Sequence, residues 1–227
     1  MPLNVASVWT GATTHTTAQV KCLLAGGGSA TLQVADNEAM TGAVSFGPVA
    51  SGAGNIVVWN VTGLSPDTRY WTVIDDGALN TSFKSTFLTH PVAAGERASY
   101  IFGAAGDAGL TGDGDEGTVT SGVSNGFAFD TMRLQAADDG ERWLWFSHLG
   151  DLHYKNISTN DVTAFRNAYT ETMNYGVAIN PAARQSQFFR SLSSTYVWDD
   201  HDFGANNSNR TSASNPAANS VYREWVP

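Results

Sequence analysis

Three short stretches of the chain combine acids with rings that bind metals or carry protons. They are Gly106-Asp107-Ala108-Gly109, Gly150-Asp151-Leu152-His153-Tyr154 and Asp199-Asp200-His201-Asp202. Each follows a short apolar run, respectively Ile101–Gly103, Trp143–Leu149 and Thr195–Trp198. Carboxylates crowded at one place repel one another, and a multivalent cation relieves that repulsion. The chemistry expected of these residues is therefore that of a metal site. A lone aspartate after a strand more often caps a helix, which is the competing reading of Asp107. Capping does not account for Tyr154 and His201 beside Asp151 and Asp200.

For the three stretches to meet, their strands must lie side by side and point the same way. Residues 98–227 have that organisation. Ala98–Gly103 reads as a short buried strand, followed by a loop rich in glycine and acids. Phe127–Asp139 carries Phe129, Met132, Leu134 and Ala137 at helical spacing. Trp143–Leu149 reads as a second buried strand and Thr195–Trp198 as a third. Between them Asn160–Met173 and Arg184–Leu192 read as amphipathic helices, the first capped by Thr159 or Asn160. Strands alternating with helices predict a largely parallel sheet, whose carboxyl ends share one crevice. His148 reads as a satisfied core residue or a support behind the ligands, ahead of a ligand, and His153 receives no role. The acidic loop Thr111–Gly117 lacks EF-hand spacing and reads as solvated. Asn206, Asn207 and Asn209 are expected to hold the turn after the third strand.

The first ninety residues differ in style. Seven runs, Asn4–Trp9, Ala18–Leu24, Ala30–Ala35, Val44–Val49, Ile56–Val61, Arg69–Ile74 and Ser82–Leu88, follow one another at the rhythm of a β-sandwich. Leu64-Ser65-Pro66-Asp67-Thr68-Arg69-Tyr70 has the makings of a tyrosine corner, with Pro66 fixing the turn and the Tyr70 hydroxyl reaching back to the backbone. This segment resembles the corresponding corner of fibronectin type III domains. Trp9, Trp59 and Trp71 read as core or interdomain packing ahead of a binding surface. The expected organisation is a sandwich over 1–90, a linker over 91–97 and an α/β domain over 98–227.

Composition narrows the function. The 227 residues hold 12 Lys and Arg against 21 Asp and Glu, a formal charge of −9, so the summed field repels phosphate backbones and argues against nucleic-acid binding. An anionic substrate would need a local positive charge, which a metal supplies. No run approaches the ~20 apolar residues of a membrane span. No basic and apolar leader follows Met1, and the single cysteine, Cys22, reads as a small buried side chain.

The order G-D-x-G, then G-D-x-x-Y, then W-D-D-H-D resembles the calcineurin-like metallophosphoesterases. His148–Tyr154 with Tyr196–Asn207, behind a fibronectin-like domain, resembles the PhoD-type alkaline phosphatases and phosphodiesterases. The resemblance implies an all-β sandwich followed by part of an α-β-β-α metallophosphatase domain, acting on phosphate esters through two metals, Fe with Ca, Zn or Mn, outside the cell or in the periplasm. It implies that Asp151 bridges the metals, that Tyr154 binds the iron-type metal, that Asp200 binds the second, and that His201 faces the leaving oxygen. Asp107 is the first-metal ligand by the D-x-G pattern; relatives often carry a cysteine at this strand end, in a register that falls here on Ala105.

Relatives also carry later histidine ligands, and no histidine follows His201. The expectation is a partial chain that binds metal weakly and hydrolyses phosphate esters poorly. The competing reading is a non-catalytic fibronectin-like module carrying a degenerate phosphatase remnant. A glycosidase using the acid pairs is a third.

Overall fold

The computed structural model describes residues 5–91, 97–107, 127–137, 142–173 and 184–227. Ten strands are present among them: β1 (Val5–Gly11), β2 (Thr17–Leu24), β3 (Ser29–Ala35), β4 (Val44–Ala50), β5 (Ile56–Thr62), β6 (Arg69–Asp75), β7 (Leu79–Leu88), β8 (Ile101–Ala105), β9 (Trp143–His148) and β10 (Ser193–Tyr196). The helices are α1 (Phe127–Ala137), α2 (Val162–Met173), α3 (Arg184–Phe189), α4 (Asp200–Phe203) and α5 (Asn215–Trp225). None is long and apolar enough to cross a membrane.

The strands form two sheets. One is antiparallel, in the order β4-β3-β6-β7. The other has six strands in the order β5-β2-β1-β10-β9-β8 and draws on both halves of the chain. Its β5, β2 and β1 are antiparallel, whereas β1, β10, β9 and β8 run parallel, with Thr10 opposite Ser193 at the junction. The sheet of the sandwich thus continues into the α/β layer.

This arrangement explains why β1 is buried at every position. Successive strand side chains face opposite sides, so a strand sealed on both faces shows no polar alternation. Val8, Val20, Cys22, Val57 and Trp59 face the four-stranded sheet and form one core with Leu32, Val34 and Phe87. Trp9, Leu23 and Ile56 face the other way and form a second core with Phe165, Tyr169, Phe188, Val221 and Trp225 from the helices. Trp9 stacks on Trp225 with centroids 5.0 Å apart, and its Nε1 donates to the Trp225 carbonyl at 2.8 Å. Both Trp9 and Trp59 are therefore packing residues, as their type predicts.

The tyrosine corner is present: the Tyr70 hydroxyl accepts from the Ser65 amide at 2.8 Å, over a buried Leu64. Other expectations change. The strand expected over Ala98–Gly103 is β8, and it is the exposed edge of its sheet, with Phe102 55% exposed. Apolar content signalled burial, but among the described residues β8 pairs only with β9 and has no neighbour on its outer side. In α1, Phe129 and Ala136 are buried and Met132 packs against the core, whereas Leu134 is 62% exposed and Ala137 faces solvent. Helix α2 begins later than expected; Asp161, not Thr159 or Asn160, accepts from the amides of Thr163 and Ala164. Thr111–Gly117, most of the 91–97 segment and the body of the loop after β8 lie outside the described residues.

Lys21 on β2 is 3% exposed and reaches the carboxyl end of α5. Its ammonium donates to the carbonyls of Val226 (2.6 Å), Glu224 (3.0 Å) and Arg223 (3.3 Å). Those carbonyls have no intrahelical partner, and a cation there also complements the helix dipole. Burial lowers the Lys21 pKa to about 8, which still leaves it charged at neutral pH. Lys21→Met keeps the stem and removes the donor. It should cost roughly 1–3 kcal/mol, several degrees of melting temperature in a chain of this size, measurable by thermal unfolding.

Candidate metal centre

The site forms where β8, β9 and β10 end. Because the three are adjacent and parallel, their carboxyl ends line one edge of the sheet, and the ladder continues into the loops. The Leu149 amide donates to the Ala105 carbonyl (2.8 Å), the Asp107 amide to Gly150 (3.1 Å) and the Val197 amide to His148 (2.9 Å). Gly150 has φ +105, and a Cβ there would lie 2.5 Å from the Asp199 Cβ. Glycine is what lets the second loop touch the third.

Asp151 sits at the centre and is buried. One carboxylate oxygen accepts from the Tyr154 hydroxyl at 2.8 Å, and the other from the His201 amide at 3.3 Å. The same Tyr154 hydroxyl lies 3.1 Å from the Asp107 carboxylate, and the Tyr154 ring packs on His201 with centroids 4.4 Å apart. Ligand atoms of Asp151, Asp200 and His201 lie within 4.8 Å of one another. The structure therefore brings Asp107, Asp151, Tyr154, Asp200 and His201 together from three loops. Asp107 has φ +56 and projects its carboxylate to Tyr154, whereas Ala105 still belongs to β8.

The charge balance fits a cation. Burial raises the pKa of Asp151, the Asp200 charge adds to the rise, and the Tyr154 and His201 contacts oppose it. Burial and the carboxylates of Asp151 and Asp107 push the Tyr154 phenol far above its ordinary range, so its proton stays shared between two acids. Hard oxygen donors with one imidazole suit zinc, iron or manganese, and a cation would replace that proton as the positive partner.

Two residues that sequence reasoning left without a role hold the site. Asp202, 1% exposed, accepts from the amides of Asp151 (2.6 Å), Leu152 (2.8 Å) and Asp199 (3.0 Å). It closes a capping box with Asp199 at the start of α4. The clasp is reciprocal: Asp151 accepts from the third loop and Asp202 from the second. Burial pushes the Asp202 carboxyl up to about 6 against the pull of these amides. The acid-x-x-acid spacing of Asp199 and Asp202 was the available signal. The second residue, Asn156, lies against His201, with its Oδ1 2.9 Å from the His201 Nδ1. Asn207 supports the third loop by donating its amide to the Asp200 carboxylate.

The other histidines turn away. His153 is wholly buried against Phe165 and Tyr169. His148 is 2% exposed and packed by Phe146, Phe189 and Tyr196, but it is not the satisfied residue expected: neither ring nitrogen has a hydrogen-bond partner among the described residues. Burial holds its pKa down to about 4. In the unfolded chain the ring protonates near ~6.5, so the fold loses stability as pH falls from ~6.5 towards 4, by roughly 3 kcal/mol. His153 acts in the same sense. Denaturant midpoints measured across this range should therefore fall less steeply in His148→Met than in the parent.

No protein-family model matches the sequence, and no curated protein does. Among solved structures, the fold is similar to that of PhoD. The structure of PhoD covers this entire chain at a TM-score of 0.74 and 15% identity, and this chain spans 47% of that one. The fifth fibronectin domain of Drosophila Lar covers 40% of this chain, and all of its own length, at 18% identity and a TM-score of 0.32.

Proposed function

We propose that these residues form one side of the metal centre of a PhoD-like phosphoric ester hydrolase. The observation that carries this reading is the meeting of three acids, a tyrosine and a histidine at three parallel strand ends, in a fold that PhoD shares along this chain's whole length. Asp107, Asp151, Tyr154 and Asp200 would hold the cations. Cations held there, Fe with Ca, Zn or Mn, would supply Lewis-acid polarisation of the phosphoryl oxygens and the positive charge that a chain of −9 lacks.

The chain's own residues do the rest. Asp151 and Asp202 lock the second and third loops together, which fixes the distance between the donors on either side. His201, packed on Tyr154, would as the imidazolium give its Nε2 proton to the departing alkoxide. Phosphate esters are the substrate class, and an extracellular or periplasmic location goes with this reading. The test is metal analysis with hydrolysis of 4-nitrophenyl phosphate and bis(4-nitrophenyl) phosphate, with and without chelator. Metal-dependent turnover that falls in His201→Ala supports it. A chain that takes up no metal, and whose Asp151→Asn and His201→Ala variants behave as the parent, would instead be a non-catalytic module.

A further inference from the structure

We propose that Asn156 is a positioning residue that holds His201 in its Nδ1–H tautomer, leaving Nε2 as the nitrogen presented to the site. Asn156 sits just past Tyr154 at φ +51, a left-handed conformation that asparagine tolerates better than most residues. Its side-chain amide touches two groups. Nδ2 donates to the Tyr154 carbonyl at 3.3 Å, and Oδ1 lies 2.9 Å from the His201 Nδ1.

A carbonyl oxygen can only accept, so the Tyr154 contact fixes which end of the amide is NH2. The other end is then an oxygen, also only an acceptor, and the His201 Nδ1 facing it must carry a hydrogen. A free neutral imidazole in water favours the opposite, Nε2–H form. Asn156 therefore sets the ring against its intrinsic preference, and it does so without adding charge to a cluster already rich in acids. The same residue ties the ring to the backbone of Tyr154, on whose side chain His201 packs. Any proton or metal that His201 exchanges in the site passes through Nε2.

The consequence for ester cleavage rests on the phosphoesterase reading, but the tautomer does not, and the experiment separates them. Long-range proton–nitrogen correlation spectra of the 15N-labelled chain at pH 9 read the tautomer directly, with the His201 signals identified by their absence from His201→Gln. The expected result is a protonated Nδ1 and an unprotonated Nε2 in the parent. Asn156→Asp, which keeps the acceptor, should retain this pattern, and Asn156→Ala should revert to mainly Nε2–H. A parent in the Nε2–H form, or an Asn156→Ala variant with the parent's tautomer, would overturn the proposal. In a parent that hydrolyses esters, the proton donor is the imidazolium, which keeps its Nδ1–H on Asn156 while the Nε2 proton goes to the leaving oxygen, so Asn156→Ala should lose about tenfold or more kcat on an alkyl phosphate and much less on 4-nitrophenyl phosphate, whose leaving group needs no proton. Equal losses on both would overturn the positioning role. A parent with no hydrolysis but the expected tautomer would overturn the phosphoesterase reading alone.

Discussion

Asp151→Asn should strip the centre of metal while leaving the fold as stable as before, or more so. The carboxylate accepts from the Tyr154 hydroxyl of its own loop and from the His201 amide of the third. Asparagine fills the same volume and offers one oxygen to either donor, but it removes the negative charge on which cation binding depends. Metal affinity should fall by roughly 100-fold or more, since even outlying partners of metal ligands are worth about 10- to 100-fold. Burial and the Asp200 charge raise the Asp151 pKa, so the ionised carboxylate is a cost to the metal-free fold. Melting in chelator should accordingly stay level or rise, while the stabilisation that the parent gains from added Zn2+ or Mn2+ disappears. Equal metal uptake by the two chains would remove Asp151 from the centre.

Asp202→Ala should have the opposite signature, with the fold itself giving way. The substitution leaves the amides of Asp151, Leu152 and Asp199 without their acceptor inside a closed interface. Each buried unpaired donor costs about 1–3 kcal/mol, and removal of a carboxylate that burial already disfavours gives part of that back. The net expectation is a loss of about 3–5 kcal/mol, roughly 10 °C in melting temperature. Asp202→Asn should lie between, because its amide oxygen still accepts while its NH2 confronts a donor. A melting temperature within a degree or two of the parent's would show that the two loops hold without the clasp.

Much of the fold could be read from residue order because its signals are local. The runs of the first ninety residues have period two and are cut by glycine, so they appear as strands β1 to β7. The tyrosine corner is likewise contained in seven consecutive residues. The acids at strand ends, with Tyr154 and His201 beside them, could be read for the same reason. What escaped was set by distant neighbours. Lys21 looks like an outward polar residue in an alternating strand, and only the end of α5, two hundred residues on, makes it an internal cap. Phe102 and Leu134 look like core residues because periodicity records amphipathic character, not which surfaces are covered. Asp202 is the same residue type as Asp200 two positions earlier, and only its spacing from Asp199 marks it as a cap. Asn156 gave no signal, since its role depends on where the third loop folds back.

The wall shared by the two cores has a consequence for how the protein is made. On a ribosome the strands of the sandwich emerge first, and they can pair and close their own core while the rest of the chain is still being synthesised. Their other face, with Trp9, Leu23, Ile56 and the Lys21 ammonium, has no cover until α2 and then α5 are complete. The contacts that finish this face span more than two hundred residues of sequence, as between Trp9 and Trp225, and contacts of such separation form slowly. The nascent chain therefore carries a sticky aromatic and aliphatic surface through most of its synthesis. That surface is completed only when Trp225 stacks on Trp9.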